Sequence, residues 1–359
     1  MNKEEFLHKL NLIRNLMKTE DLDGILINSQ ANFSWLTGGR GFIGIASENS
    51  CASILVTSDA AYLLANNIES GRLADEEVNG QLVTLKEFPW FDEDQKQCLI
   101  EQIIGEGKYC TDIQLNRQFV QLRSRLNEQE KERYRWLGLN TARAVERVCR
   151  QLREGMSEFE VAGMASRELW SLGIEPVTLL VAFDRRISSY RHPLPTDDRL
   201  AKYCMIAIGG RKWGLVASAT RLASLGALDD DILKKHKAVA KIDTCFISNT
   251  RPGNSVKDIF NKAVACYSDV GYPEEWKKHH QGGLTGYAPR EYRATPNIDQ
   301  TVSADQAFAW NPSITGTKSE DTILVLEDKN EIITHTGEYA YIEAEYEGYK
   351  LMRPDILVL

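Results

Sequence analysis

The sequence predicts an α+β chain of two domains. An α/β N-terminal domain occupies 1–125. A second domain, 126–359, carries a pseudo-twofold repeat of helix–helix–strands units on a curved antiparallel sheet. Three observations lead there: apolar spacing alternates between helix and strand periods in the first third, a nine-residue motif recurs 98 residues later in the remainder, and 359 residues suffice for about two domains.

The elements follow in order. Residues 3–18 place Phe6, Leu7, Leu10, Ile13, Leu16 and Met17 at helical spacing. DGILIN (23–28) is a short strand opened by an Asp-Gly turn; CASILVT (51–57) and AAYLLA (60–65) are two more, parted by Ser58-Asp59. Residues 113–128 are polar enough to be a connector with some helix. In the second part, REGMSEFEV (153–161) and RPGNSVKDI (251–259) share Arg, Gly, Ser, an acid three residues after the Ser, and a β-branched residue. Ser157 with Glu160 forms a capping box, and Ser255 with Asp258 repeats its spacing. Each serine starts an amphipathic helix that meets a glycine 16 residues on, Gly173 and Gly271, placed to end it in the left-handed conformation. Longer helical segments precede them at 130–152 and 229–248, and strand-rich stretches follow. A site between such halves lies where their strands converge.

Composition narrows the function. The net charge of −8 and the absence of a long basic stripe argue against nucleic acid. No run of 18 apolar residues exists to span a bilayer, and the charged start, MNKEEFLHKLNLIRNLMKTEDLDG, reads as a helix of the mature protein rather than a secretion signal. Seven scattered cysteines without a C-x-x-C are expected to be reduced core residues, which makes the cytoplasm the expected compartment.

The chemistry rests on few residues. His8, His236 and His335 are expected at the surface. His279 and His280 are neighbours, so on a strand they point to opposite faces and do not share one metal. His192, in YRHPLPTDD, is either structural or catalytic. Glu320-Asp321, in GTKSEDTILVLE, either caps the strand TILVL or projects a carboxylate into a cavity.

At this point the sequence resembles the creatinase, Xaa-Pro aminopeptidase and prolidase family. The second domain is similar to that family's pita-bread fold, a pseudo-twofold duplication, and GILINSQANFSWLTGG (24–39) stands where its N-terminal domain has a strand–loop–YLTG segment. The family's peptidases hold two metal ions with two Asp, one His and two Glu. Aligning AIGGRKWGLVASATR by its glycines and Thr220-Arg221 puts Ala207 and Ser218 at the two Asp positions. GGLTG (282–286) puts Gly283 at the His, and Asn311-Pro312 puts Asn311 at the first Glu; only Glu320 remains. The resemblance thus implies a divergent member with no metal and no cofactor, because one carboxylate cannot offset the dehydration of two divalent ions.

Creatinase, a metal-free member, hydrolyses a C–N bond with a histidine base in a His-Pro turn, and His192 in RHPLP is the corresponding residue. The implied activity is metal-independent hydrolysis of a small zwitterionic or cationic amide, amidine or guanidino compound. His192 is the base, Glu320 the cation anchor and Arg290 the anion anchor, unless Arg290 and Glu291 form a structural ion pair. Tyr287 and Trp310 are pocket walls or plain core, and Asn311 lines the substrate site. Arg40 and Phe42 are placed to reach a partner subunit, which implies a homodimer. The alternatives are an Xaa-Pro dipeptidase or aminopeptidase with unusual ligands such as His279 or His280, and a non-catalytic peptide-binding pita-bread module.

Overall fold

In the computed structural model, which describes residues 1–78 and 82–359, the first helix runs Lys3–Thr19. Asn2 caps it by accepting the Glu5 N–H at 2.8 Å, and Phe6, Leu10, Ile13 and Met17 are buried; Leu7, expected on the apolar face, is exposed. The chain divides into two units, Met1–Arg123 and Ser124–Leu359. The first holds a five-stranded sheet in the order Thr84–Phe88, Ala61–Asn66, Asn49–Thr57, Gly24–Ser29, Tyr109–Thr111. Its inner pairs are antiparallel and both outer pairs parallel, the mixed arrangement of an α/β unit. The connector contains the helix Asn116–Arg123.

The second unit shows the duplication. Helices Glu128–Cys149 and Glu158–Trp170 precede the strands Glu175–Phe183, Tyr203–Lys212 and Leu215–Ser224. Helices Asp230–Asn249 and Val256–Asp269 precede Gly282–Thr285, Tyr292–Arg293, Gln306–Trp310, Asp321–Val325 and Asn330–Ile332. Pairing is antiparallel except that Ile356–Val358 joins Leu215–Ser224 in parallel. Both helix starts and both helix ends repeat. Ser157 and Ser255 each accept the N–H three residues on, and only the longer Glu160 returns the bond to complete the box. Ile174 N–H reaches Leu169 O and Gly173 N–H reaches Trp170 O; Tyr272 to Tyr267 and Gly271 to Ser268 are the same two bonds. Gly173 and Gly271 have φ of +64° and +89°, so both helices end in one Schellman motif. Even the lone bridges, Ser157 with Arg199 and Ser255 with Thr301, match.

The two halves join through backbone and charge. Val216 N–H reaches Gly286 O at 2.8 Å, and Thr220 N–H reaches Glu320 O at 3.1 Å. Beneath this seam, Asp321 accepts from Arg221 at 3.1 Å and from Arg353 at 2.6 Å; Arg221 continues to Glu146 and Arg353 to Asp243. All five side chains are buried. Glu146 and Arg221 come from the first half, Asp243 and Asp321 from the second.

Four of the cysteines are buried, but Cys98 is exposed and Cys51 and Cys110 are half-buried, so the expected core placement holds for only part of the set; all seven are free thiols. No helix among the described residues is long and apolar enough to cross a membrane.

Replacing Asp321 by Asn keeps its shape but leaves two buried guanidinium groups short of a counter-charge. Asp321→Asn is expected to lower unfolding stability by about 3–5 kcal/mol in urea titration. An unchanged urea midpoint would show that the network does not hold the halves together.

Candidate active site

Strand alternation sorts the residues at the seam. Thr220 and Arg221 are consecutive, as are Glu320 and Asp321, so one of each pair enters the buried network and the other turns to the opposite face. That face closes a cavity of about 590 Å³ whose wall includes His192, Ala207, Ser218, Arg290, Lys318 and Glu320. Of the two readings of Glu320-Asp321, Glu320 realises the projected carboxylate, while Asp321 joins the buried ion network rather than capping the strand.

Glu320 Oε2 accepts from Lys318 Nζ at 2.7 Å and from Thr220 Oγ1 at 2.7 Å, while Oε1 accepts from Arg290 at 3.1 Å. Burial alone would raise its pKa, yet Lys318 and Arg290 hold it down to about 2. This corrects the role expected of Glu320: its charge is already met internally, so it offers no free anchor for a substrate cation. Arg290 is likewise engaged, donating also to Pro289 O at 2.6 Å. Arg293, by contrast, lines the cavity exposed and without an ion pair among the described residues.

The histidines depart furthest from expectation. His279 and His280 do not lie on a strand; they follow the single 3₁₀ turn Glu275–Lys278, and their rings stack with centroids 4.5 Å apart. Both approach His192, whose ring centroid is 4.8 Å from that of His279 and 5.7 Å from that of His280. Nε2 of His279 and Nε2 of His192 form a hydrogen bond of 3.0 Å. Burial first, then Lys318 and the neighbouring imidazoles, push the His279 pKa down to about 2. Burial with Arg290 and Arg293 brings His280 to about 4, and burial with Lys318 lowers His192 as well. All three rings are neutral at pH 7. His8 is exposed as expected, but His236 is buried, bonded to Thr317 Oγ1 at 2.8 Å and Pro354 O at 3.1 Å, and His335 is half-buried.

The remaining expected site residues part company. Tyr287 is core: it is buried and donates to Glu130 at 2.6 Å. Trp310 is core as well, stacked between Phe246 and Phe308. Glu291 accepts the N–H groups of Tyr287 and Ala288 at 3.1 Å each, so it shapes the turn, while Arg290 pairs with Glu320. Asn311 lines the cavity with its Oδ1 unpartnered. Arg40 is paired with Glu77 at 2.6 Å inside the first unit.

The five positions matched to the two-metal motif do not fit a pair of ions. Ala207 and Gly283 have no donor side chain, Ser218 and Asn311 are neutral, and an ammonium and a guanidinium occupy Glu320. At Gly283, φ is +153° and a Cβ would lie 2.2 Å from Tyr292 O, so no side chain of any kind has room there. Gly282 is equally constrained, with φ of +104° and Ala309 O 2.1 Å from its would-be Cβ, whereas a Cβ at Gly286 meets only ordinary contacts.

The model of metallopeptidase family M24 matches residues 132–327, more than half of the chain. The chain belongs to metallopeptidase family M24. The creatinase/prolidase N-terminal domain model matches residues 9–155. Among relatives of this M24 member, an uncharacterized peptidase of Staphylococcus aureus (strain MW2) is 24% identical over 341 residues, covering 86% of this chain and 96% of its own. The prolidase from Pyrococcus horikoshii OT3 superposes with a TM-score of 0.77 at 20% identity, over 92% of this chain and 98% of its own. The X-Pro aminopeptidase from Thermotoga maritima MSB8 gives 0.74 at 18% identity, over 91% and 97%. The structural likenesses establish the pita-bread fold, and membership of the family supports a peptidase-like hydrolase. The M24 member keeps that frame while its motif positions lack the donors of a two-ion centre.

Two residues of the site were passed over in the sequence, Lys318 and Arg293. Lys318 stands two residues before Glu320, the spacing that puts neighbours on one face of an extended segment, and that signal was available. Arg293 carried no comparable mark.

Two outcomes follow from this geometry. Gly283→Ala is expected to cost more than about 2 kcal/mol by urea unfolding, while Gly286→Ala stays within about 1 kcal/mol. Equal effects would refute the steric account. For His279, the unfolded ring titrates near 6.5 and the folded ring near 2, so below pH 6.5 the unfolded chain binds a proton that the folded site refuses. Stability therefore falls as pH falls, by about 2 kcal/mol at pH 5 from this ring alone. The check is the pH 7.5-to-5 loss in His279→Asn, which should be smaller than wild type by about that amount.

Proposed function

We propose that this M24 member hydrolyses a C–N bond in a small amide or short peptide that carries a carboxylate. His192 is the general base, and no two-ion centre takes part. The observation that carries this reading is the charge of the cavity wall: Arg290, Arg293 and Lys318 face one carboxylate, Glu320, which two of them already neutralise. A wall with excess positive charge favours a ligand carboxylate and disfavours a purely cationic substrate. The substrate class expected from the sequence narrows accordingly, from zwitterionic or cationic compounds to carboxylate-bearing ones.

Arg293, without an ion pair among the described residues, holds the carboxylate. His192 acts on water when its Nε2 carries the proton donated to His279 Nε2, because Nδ1 then keeps the free lone pair. As the water oxygen attacks the carbonyl carbon, one of its protons passes to His192. The C–N bond then breaks and the same proton passes to the leaving nitrogen. Because the His192 pKa lies below 6.5, the base stays available at neutral pH, and turnover falls only on the acid side of that value.

The test is turnover of dipeptides and N-acyl amino acids by protein exhaustively treated with chelator. Activity is expected to persist. His192→Ala is expected to reduce it by about 10²-fold or more, and Arg293→Ala to raise KM with kcat nearly unchanged. Activity that appears only on adding Mn²⁺ or Co²⁺ would overturn the proposal.

One observation favours a second reading, a non-catalytic module that binds a peptide carboxylate. With Glu320 closed by Lys318 and Arg290, the cavity wall offers no second carboxyl group among the described residues, so His192 alone would have to serve as both base and acid. Calorimetric binding of a dipeptide that is recovered intact would select that reading.

A further inference from the structure

The three clustered histidines are unlike a structural histidine of the same protein. His236 is buried with both ring nitrogens satisfied, by a hydroxyl and a backbone carbonyl. His279 is only 8% exposed, yet its ring bonds to another imidazole, and its Nδ1 is buried without a partner. Nδ1 of His280 is also buried and unpartnered. Leaving a buried polar nitrogen unsatisfied is costly, and among the described residues no carboxylate or carbonyl receives either Nδ1, so packing these imidazoles together has no structural return. Neither has the two-metal motif a claim on them, since none of the three occupies its five positions.

Their spacing is that of ligands. Each of His192, His279 and His280 offers one ring nitrogen, and these atoms all lie within 4.8 Å of one another. The closest pair is 3.0 Å apart. Two nitrogens bound to one ion at about 2.1 Å stand about 3.0 Å apart at a right angle and about 3.4 Å at the tetrahedral angle. The observed pair matches the first value, while His280, whose ring stacks on His279 at an interplanar angle of 30°, must turn its nitrogen toward the pair to complete a facial set. The trio also borders open space: all three rings line a second cavity, of about 470 Å³, and His192 and His280 line the first one too. A fourth ligand, water or a carboxylate, therefore has access.

We propose that His192, His279 and His280 form a mononuclear site for a borderline-soft divalent ion of the Zn²⁺ class. An all-imidazole set suits Zn²⁺, Ni²⁺ and Cu²⁺ and discriminates against Mg²⁺ and Ca²⁺, which require oxygen donors. Lys318, Arg290 and Arg293 oppose a dication from nearby and Glu320 alone favours it, so a bound anion as fourth ligand strengthens the site. The proposal rests on the functional reading above in one respect only. The ion takes up a His192 lone pair, so loading it removes the proposed base, and Zn²⁺ is an inhibitor of turnover.

Binding and activity are measured separately on tag-free, chelator-treated full-length protein. Co²⁺ titration followed by visible absorption, and Zn²⁺ equilibrium dialysis, are expected to show one ion per chain, undiminished by 100-fold excess Mg²⁺. His280→Ala and His279→Ala should each weaken uptake at least tenfold, with His8→Ala unchanged. His280 is half-buried, so its variant keeps the test open if His279→Ala fails to fold. Absence of uptake, or uptake equal in wild type and His280→Ala, overturns the site. Trio-dependent uptake that raises turnover confirms the site and overturns His192 as the base.

Discussion

One carboxylate held between two buried guanidinium groups organises the second unit. Asp321 binds Arg221 from the first half and Arg353 from the strand Tyr349–Pro354, and through them Glu146 and Asp243. Charges this deeply buried are tolerable only when each finds its partner, so the network sets the register between the halves. Because backbone alternation is strict, fixing Asp321 inward turns Glu320 toward the cavity, and fixing Arg221 inward turns Thr220 to meet it at 2.7 Å. The site is thus a by-product of how the halves are joined.

The same logic describes the positions matched to the family's two-metal motif. A dinuclear centre supplies concentrated positive charge opposite several acids. Here the matched positions hold Ala207, Ser218 and Asn311, and the positive charge beside Glu320 comes from Lys318 and Arg290. The balance at Glu320 is kept, and Arg293 is left over at the wall. The polarity of the cavity is therefore inverted from that of a pocket awaiting a cationic guest.

Much of this was legible in the sequence wherever local chemistry decides it. The duplicated caps at Ser157 and Ser255 and the paired glycines 173 and 271 are local signals, and the fold honours both, down to identical Schellman bonds. The first helix and the three early strands followed from periodicity in the same way. What could not be read was contact between distant segments. His192 lies 87 residues from His279, and the notion that adjacent histidines diverge assumed a strand where the chain makes a 3₁₀ turn instead. Tyr287 and Trp310 stand beside site motifs but face the core, since motif proximity says nothing of side-chain direction.

Gly283 has a consequence for any attempt to redesign this site. With Tyr292 O only 2.2 Å from where a Cβ would sit, the neighbouring strand leaves no place for an imidazole at this position. Writing a histidine there would therefore not install a ligand; the hairpin backbone would have to be rebuilt first, so engineering must start from the side chains the cavity already has.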